Sequence, residues 1–205
     1  MLRVAVFVSG RGSNLLAILK DFQNNNSNVL VSAVVSNKKD CGAFDIAKDY
    51  NIPTYLVSDQ PNEGFVTYSE LSEAFSKNDI NLIVLAGFLK KIPDHFLEIY
   101  ENKIINIHPA LLPSFGGKGM YGMNVHTAVF NSSAQVSGPT VHYVNNKYDE
   151  GLIIAQRCVD ISSCNSPEEI AAAVLTEEHK ILPYVIRKLS EDKVKIKNRR
   201  VIIED

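Results

Sequence analysis

The chain has 205 residues, of which 45% are hydrophobic and 21% charged, and its formal net charge is −2. This length suits one domain with a substantial core, and the lack of a basic excess argues against nucleic acid as a partner. No apolar run suits a membrane span or a secretory signal, and three cysteines without a CxxC pair indicate neither a disulfide framework nor a zinc cluster, so we expect a soluble, cytoplasmic protein.

Apolar runs alternate with helix-like segments through the first half of the chain. The predicted strands are 2–8, 29–35, 54–57, 82–86 and 104–107, and the helices between them are 15–22, 41–50, 68–78 and 93–100. The strands are apolar at successive positions, as in a parallel sheet whose two faces are both covered by helices. The sequence therefore predicts an α/β fold with a doubly wound, mainly parallel sheet.

The pattern changes after residue 113. A Gly-rich loop and a short helix near 125–130 precede two β-rich runs, 140–144 and 153–159, which predict a hairpin. Ser166 and Pro167 are typical of a helix start and predict a long helix towards Leu189. Alternation around Asn198 indicates a terminal hairpin. We predict a single domain over 1–205, with a βα half at 1–113 and a second half at 114–205.

The segment SGRGSN follows the first predicted strand, where ligands bind in open parallel sheets. Gly10 and Gly12 permit a tight turn, and Ser13, Asn14 and the free N–H groups of the next helix could hold an anion. A capped turn without a ligand explains the pattern equally well. A dinucleotide suits it less than a single phosphate does, because Leu15 replaces the third glycine of that motif.

The next candidate site is at the end of the fifth predicted strand. Asn106 and His108 stand two apart, so their side chains project on the same side. An amide and an imidazole that meet at one oxygen suit the tetrahedral oxyanion of acyl transfer, although a lone strand histidine is more often structural.

The other polar candidates are weaker. We read His95, His126 and His179 as structural, and His142 as either a satisfied sheet histidine or a partner of the site. Asp149 and Glu150 are most simply turn residues, unless their turn folds over His108. No group of residues has metal-ligand spacing, so we expect no catalytic metal.

Six segments resemble one family in both residues and order. They are SGRGSN, VLAGFLKKI, INIHPALLP, TVHYV, YDEG and EEHKILP, and the sequence is similar to phosphoribosylglycinamide formyltransferases over nearly its whole length. The resemblance implies a Rossmann-like formyltransferase fold. It also implies transfer of the formyl group of the cosubstrate 10-formyltetrahydrofolate to the amine of glycinamide ribonucleotide, in purine synthesis.

The resemblance also implies roles for individual residues. Asn106 would hold the formyl oxygen, His108 would stabilise the oxyanion and help protons move, and Asp149 would favour protonated His108, whose pKa we expect to be raised. The ribonucleotide would be bound by Gly12, Ser13, Asn14 and Glu178. The first three would hold its phosphate, which places the phosphate site in 1–113, and Glu178 would meet its ribose hydroxyls. The folate would be bound by Leu89, Lys90, Lys91, Ile92 and Asn106, with the folate side of the protein in 114–205.

Three further expectations concern the surroundings of these residues. The resemblance implies that the bond between Leu112 and Pro113 is cis. The loop 114–124, because it contains four glycines, is expected to close over the folate as a lid. An arginine that often meets the glutamate tail of the folate in this family has no counterpart, since 54–75 contains no Arg or Lys.

Other functions share some of these sequence features. Formyltetrahydrofolate hydrolase or another formyltransferase, such as methionyl-tRNA formyltransferase, shares the NIHPALLP segment, but those enzymes carry further domains. A phosphate-ligand-binding domain would keep GSN without needing Asn106, His108 and Asp149 together. We expect a monomer or weak homodimer, with the two small substrates as partners and no membrane or nucleic-acid partner.

Overall fold

The structure is a computed structural model that describes residues 1–25 and 27–204. The chain divides into two compact units, 1–105 and 106–205. The expectation that 1–205 is one domain stays a prediction. Within the described residues, none of the helices has the length and apolar character needed to cross a membrane.

Unit 1 is built from alternating strands and helices. The strands are β1 (Leu2–Phe7), β2 (Val29–Ser36), β3 (Thr54–Ser58), β4 (Val66–Thr67) and β5 (Leu82–Leu85). The helices are α1 (Ser13–Asn24), α2 (Ala43–Asp49), α3 (Tyr68–Lys77) and α4 (Asp94–Ile99). Each strand and helix predicted from the pattern of unit 1 is present, with bounds shifted by only a few residues.

The strands of unit 1 form a parallel sheet in the order β4-β3-β2-β1-β5. The order reverses between β1 and β5, and right-handed connections then place α1 and α2 on one face and α3 on the other. Contacts between α1 and α2, and between α3 and α4, agree with this arrangement. The predicted doubly wound, mainly parallel sheet is confirmed, and the switch point beside β1 is where such sheets bind ligands.

Aromatic side chains fill the core of unit 1. Phe7 on β1 is fully buried, and its ring meets those of Phe75 and Phe88 edge to face at centroid distances of 6.2 and 5.2 Å. This is a preferred geometry for aromatic pairs. The packing holds the end of β1, and with it the loop that follows, in a fixed position.

Unit 2 contains two hairpins and a long helix. Its elements are α5 (Met123–Asn131), β7 (Val136–Ser137), β8 (Thr140–Tyr143), β9 (Ile153–Gln156), β10 (Val159–Asp160), α6 (Pro167–Ser190), β11 (Val194–Lys197) and β12 (Arg200–Ile203). β6 (Ile104–His108) spans the boundary, and the order β6-β8-β9 places it beside β8. β8 pairs with β9 and β11 with β12, both antiparallel, which confirms the two predicted hairpins.

Local sequence explains both the start of α6 and the turn of the last hairpin. The Ser166 side chain accepts a hydrogen bond from the Glu169 N–H and caps α6, as the sequence predicts. Asn198 and Arg199 turn β11 into β12 with φ of 51° and 60°. Two central residues with positive φ are typical of the tight turns that match strand twist.

One predicted strand is interrupted. The run 153–159 is not continuous, because β9 ends at Gln156 and Val159 pairs with Ser137 of β7 instead. The Arg157 N–H donates to the Pro139 carbonyl at 3.2 Å. A Cβ at Gly138, whose φ is 143°, would overlap the Arg157 carbonyl. The two backbones therefore approach closely here, and the pairing changes partner.

Gly151 supports the turn after β8 by the same kind of close approach. Its Cα lies against the Tyr143 carbonyl, so that an added Cβ would overlap that oxygen. Overpacking costs about 1–3 kcal/mol and occasionally more, and a backbone carbonyl cannot rotate aside as a side chain can. We expect Gly151→Ala to lower the urea midpoint of unfolding strongly. Gly10→Ala, which adds the same methyl group in open space, is the matched control and should change the midpoint little.

Candidate active site

The carboxyl end of β6 carries Asn106 and His108, which share one side of the strand. His108 is buried, with 3% of its surface exposed, and Asn106 is half-buried. Buried polar side chains need hydrogen-bond partners. The partners of both residues come from β8, from the turn after β8 and from the loop after β6.

The turn after β8 folds over His108. Asp149 has a φ of 58°, which brings its carboxylate back to the strands, and Asp149 Oδ2 lies 3.6 Å from His108 Nδ1. The Asp149 side chain is 13% exposed and that of His108 4%, so water screens this pair only weakly. Of the two readings that the sequence left open for Asp149, the structure favours the partner of His108. Glu150 remains a surface residue, paired with Lys147 at 3.2 Å.

The pKa of Asp149 lies below its ordinary value. Burial alone would raise this pKa, but the neighbouring His142 and His108 rings and the Gly117 N–H outweigh it. Asp149 is therefore ionised at neutral pH, and it is the negative charge beside the imidazole of His108.

The pKa of His108 is lowered, and the expectation of a raised value is wrong in its net direction. Burial disfavours the charged imidazolium and is the largest cause. Asp149 and the Phe115 carbonyl raise the pKa, as expected of a nearby anion, but they do not overcome burial. Without Asp149, the pKa of His108 would therefore be lower still.

His142 on β8 joins Asn106 to Asp149. Its Nδ1 lies 2.8 Å from the Tyr143 carbonyl, and because a carbonyl only accepts, Nδ1 is the donor. In the neutral ring Nε2 is then the acceptor, and it lies 3.1 Å from Asn106 Nδ2. Nε2 is also 3.6 Å from Asp149 Oδ1. His142 therefore turns the Asn106 amide nitrogen towards itself.

The loop after β6 covers the other side of His108. Its Nε2 lies 2.8 Å from the Phe115 carbonyl, and the Gly117 N–H donates to Asp149 Oδ2 at 2.8 Å. Phe115 adopts a φ of 55°, which non-glycine residues rarely do. The contacts hold this loop at His108 and Asp149. That it closes as a lid over the folate stays a prediction.

The turn that precedes this loop is anchored to β8 and β9. The bond between Leu112 and Pro113 is cis, as predicted. The Leu112 N–H donates to Thr140 Oγ1 at 3.0 Å, and the Leu112 carbonyl accepts from Gln156 Nε2 at 2.9 Å. These two bonds fix the path of the chain between His108 and the loop.

The predicted anion loop lies in unit 1, between β1 and α1. Gly12 has a φ of 81°, and a Cβ there would stand 2.8 Å from the Cβ of Ala43. Glycine is thus required by packing as well as by conformation. Ser13 begins α1, and the Ser13 hydroxyl has no hydrogen-bond partner within residues 1–25 and 27–204, so it is available to a ligand. Asn14 is buried on the same turn of the helix.

Ser9 links the anion loop to the segments that follow two neighbouring strands. The sequence pattern did not predict this role. The Ser9 hydroxyl donates to Asn37 Oδ1 at 2.6 Å, after β2, and accepts from the Leu89 N–H at 2.9 Å, after β5. The Ser9 N–H also donates to the Gly87 carbonyl at 3.0 Å. A serine just before GRGSN is the only sequence signal for this role.

The segment expected to bind folate follows β5. Leu89 is 51% exposed and Ile92 is buried, so only the former presents its side chain to solvent. Lys90 lies 3.5 Å from Asp59, and Lys91 lies 3.4 Å from Asp94. These are exposed pairs, which contribute little to stability. Both lysines thus have acidic neighbours in the protein itself.

The remaining predicted binding residue, Glu178, is buried on α6 with 8% of its surface exposed. A carboxylate is seldom buried to this extent unless it is paired, and Glu178 does have an interaction partner in the structure. Within the described ranges no group of His, Cys, Asp or Glu is arranged to hold a metal ion.

Similar proteins point to one family. Residues 2–186 match the family described as formyl transferase. The chain is 43% identical over 196 residues to a chloroplastic phosphoribosylglycinamide formyltransferase of Arabidopsis thaliana, covering 94% of this chain and 67% of that protein. It is 34% identical over 190 residues to the phosphoribosylglycinamide formyltransferase of Bacillus subtilis, covering 92% and 95%.

A solved structure gives the same result. The crystal structure of phosphoribosylglycinamide formyltransferase from Anaplasma phagocytophilum superposes with a TM-score of 0.89 at 35% identity. The match covers 100% of this chain and 94% of that one. The resemblance seen in the sequence motifs is thereby confirmed for both sequence and fold.

Proposed function

The chain belongs to the formyl transferase family, and we propose that it transfers the formyl group of 10-formyltetrahydrofolate to the amine of N1-(5-phospho-D-ribosyl)glycinamide. This reaction is a step of de novo purine biosynthesis. The observation that carries the proposal is the contact between buried His108 and Asp149 Oδ2 at 3.6 Å, beside Asn106, in a chain whose relatives are named for this activity.

The chemistry follows from these three side chains. The substrate amine attacks the formyl carbon, and the resulting oxyanion is stabilised by an N–H of Asn106 and by His108. The new carbon–nitrogen bond forms while the bond to N10 of the folate breaks. The amine loses one proton and the leaving nitrogen gains one, so a group that carries a proton between them completes the step.

His108 suits this proton transfer because of its surroundings. Its pKa is lowered mainly by burial, so the neutral ring is available to accept a proton at neutral pH. Because Nε2 carries the hydrogen that faces the Phe115 carbonyl, the nitrogen that accepts this proton is Nδ1, which lies beside Asp149 Oδ2. Once charged, the ring faces the ionised Asp149, which stabilises it until the proton passes to the leaving nitrogen. Asp149 thus acts on the protonated state, which forms only during the reaction.

The ribonucleotide has its own group of residues. We assign its phosphate to the backbone of Gly12 and to Ser13 and Asn14 at the start of α1, where free N–H groups attract an anion. We assign the ribose hydroxyls to Glu178, since a carboxylate accepts hydrogen bonds from such groups.

For the folate we assign Leu89, Lys90, Lys91 and Ile92 together with Asn106. Ile92 is buried, so it would contribute its backbone rather than its side chain. The ion pairs of Lys90 with Asp59 and Lys91 with Asp94 leave no lysine of this segment without an acidic neighbour.

Ser13 offers a selective test of the phosphate assignment. We expect Ser13→Ala to weaken binding of glycinamide ribonucleotide about 10- to 100-fold, because a hydrogen bond to a charged group is worth about 1.5–3 kcal/mol. Folate affinity should not change. Gly12→Val is a poorer test, since its side chain would also collide with Ala43. Calorimetry with both ligands decides, and Ser69→Ala in the first turn of α3 is the matched control.

The decisive experiment is turnover by the purified protein. Formylated ribonucleotide and free tetrahydrofolate should appear in equal amounts when both substrates are present. Release of tetrahydrofolate without the ribonucleotide would indicate a hydrolase instead. Ribonucleotide binding with no turnover would indicate a binding domain.

The location and the assembly state of the protein can also be proposed. A cytoplasmic location fits the sequence, although the relative from Arabidopsis thaliana is named chloroplastic. We propose a monomer or weak homodimer in solution, which analytical ultracentrifugation would test.

A further inference from the structure

Three exposed cations border the anion loop of unit 1. Arg11 lies within the loop, and Lys38 and Lys39 lie in the loop after β2. The two loops are in direct contact, because the Ala43 N–H donates to the Gly10 carbonyl at 3.2 Å. We call Arg11, Lys38 and Lys39 the capture patch.

The capture patch is not neutralised by ion pairs. Within residues 1–25 and 27–204, none of its three side chains lies within salt-bridge distance of a carboxylate. The Lys39 ammonium lies over the Phe65 ring, 5.5 Å from its centroid. The lysines after β5 differ, since each has an acid beside it.

Two nearby acids partly offset the positive charge of the patch. Asp40 follows Lys39 in the chain, and Asp45 lies in the first turn of α2. Both are exposed. Three cations against two acids leave an excess of positive charge beside the anion loop, and the free N–H groups at the start of α1 add to it.

The chain as a whole carries the opposite sign, with a formal net charge of −2. A phosphomonoester is itself an anion of about −1.5 to −2 charges at neutral pH. The net charge therefore provides no attraction for such a substrate, and a local field of positive sign would have to supply it. Local charge of this kind raises association rates.

We propose that Arg11, Lys38 and Lys39 act together, by charge alone, to attract the phosphomonoester substrate to the anion loop without contacting it. The proposal rests on the proposed function of that loop. It predicts a role that depends on the sign and number of charges, and not on the shape of any one side chain.

The test is the salt dependence of kcat/KM for glycinamide ribonucleotide. At an ionic strength of ~0.01 M the Debye length is ~30 Å, and at ~1 M it is ~3 Å. The triple variant Arg11→Gln, Lys38→Gln, Lys39→Gln should lower kcat/KM about 10-fold at the lower ionic strength, the small end of the range for electrostatic focusing. The difference should vanish at the higher one, and Arg11→Lys should match the wild type throughout.

Lys77→Gln, at the far end of α3, is the control and should have no effect. The proposal is overturned if the triple variant keeps the wild-type salt dependence. It is also overturned if Arg11→Gln alone accounts for the loss and the loss persists at high salt, because that would indicate direct contact.

A second readout does not depend on turnover. Binding of ribose 5-phosphate, followed through the amide NMR signal of Ser13, should be weaker for the triple variant only at low salt. Equal binding by both proteins would overturn the capture patch. Failure of the wild type to formylate the ribonucleotide would instead count against the proposed function, so the two failures are distinguishable.

Discussion

We expect Asp149→Asn to lower kcat by about 10²- to 10⁴-fold, the range typical of groups that assist proton transfer. Asparagine keeps the shape of the side chain and tolerates a positive φ, so the turn should fold as before. It removes the charge that faces His108 Nδ1 at 3.6 Å, and the imidazolium formed during the reaction loses its stabilisation. Michaelis constants should change far less.

Two controls separate the charge of Asp149 from its place in a turn. Asp192 also has a positive φ, 55°, and lies on the surface, so Asp192→Asn makes the same change where the charged neighbour is Lys195 and not a histidine. Glu150→Gln removes the neighbouring charge. Both should keep wild-type turnover. If Asp149→Asn kept it as well, the pairing with His108 would have no catalytic role.

The Asp149→Asn variant should also change the pKa of His108. The pKa of His108 is lowered mainly by burial, against which Asp149 acts. Asp149→Asn removes the opposing charge and leaves the burial, so the pKa of His108 should fall further. NMR titration of the imidazole signals would measure this, and an unchanged or higher value would contradict the electrostatic role of Asp149.

Much of the fold was predictable because its signals are local. The β-branched apolar runs of β1 and β2 and the start of α6 at Ser166-Pro167 each specify their element within a few residues. The change of pairing after Gln156 was not predictable. It arises from the close approach of two backbones at Gly138, and no periodicity in the sequence reports such a contact.

The residues of the candidate site were likewise predictable only where the sequence carries a local signal. The spacing of Asn106 and His108 on one strand indicated a joint role, because alternation along a strand is a local rule. The partner Asp149 lies 41 positions after His108. The sequence pattern left it as either a turn residue or a residue that folds over His108, and only the family resemblance favoured the second. The contacts of His142, Ser9 and the Phe115 carbonyl depend on which strands and loops become neighbours.

We expect His108→Gln to lower kcat by about 10²- to 10⁴-fold as well. Glutamine can still donate a hydrogen bond to the Phe115 carbonyl, which lies 2.8 Å from His108 Nε2, but it cannot carry a proton from the amine to the leaving nitrogen. His95→Ala, an exposed histidine on α4, is the control and should leave kcat unchanged. Activity of His108→Gln close to wild type would exclude His108 as the proton carrier.

Combining His108→Gln with Asp149→Asn tests whether the two residues act as a unit. If Asp149 works only by stabilising charge on His108, it has nothing to act on once that charge cannot form. The double variant should then be no slower than His108→Gln alone, since residues that act together are strongly non-additive. Independent, multiplying losses would show that Asp149 acts elsewhere, for example through His142, whose Nε2 lies 3.6 Å from Asp149 Oδ1.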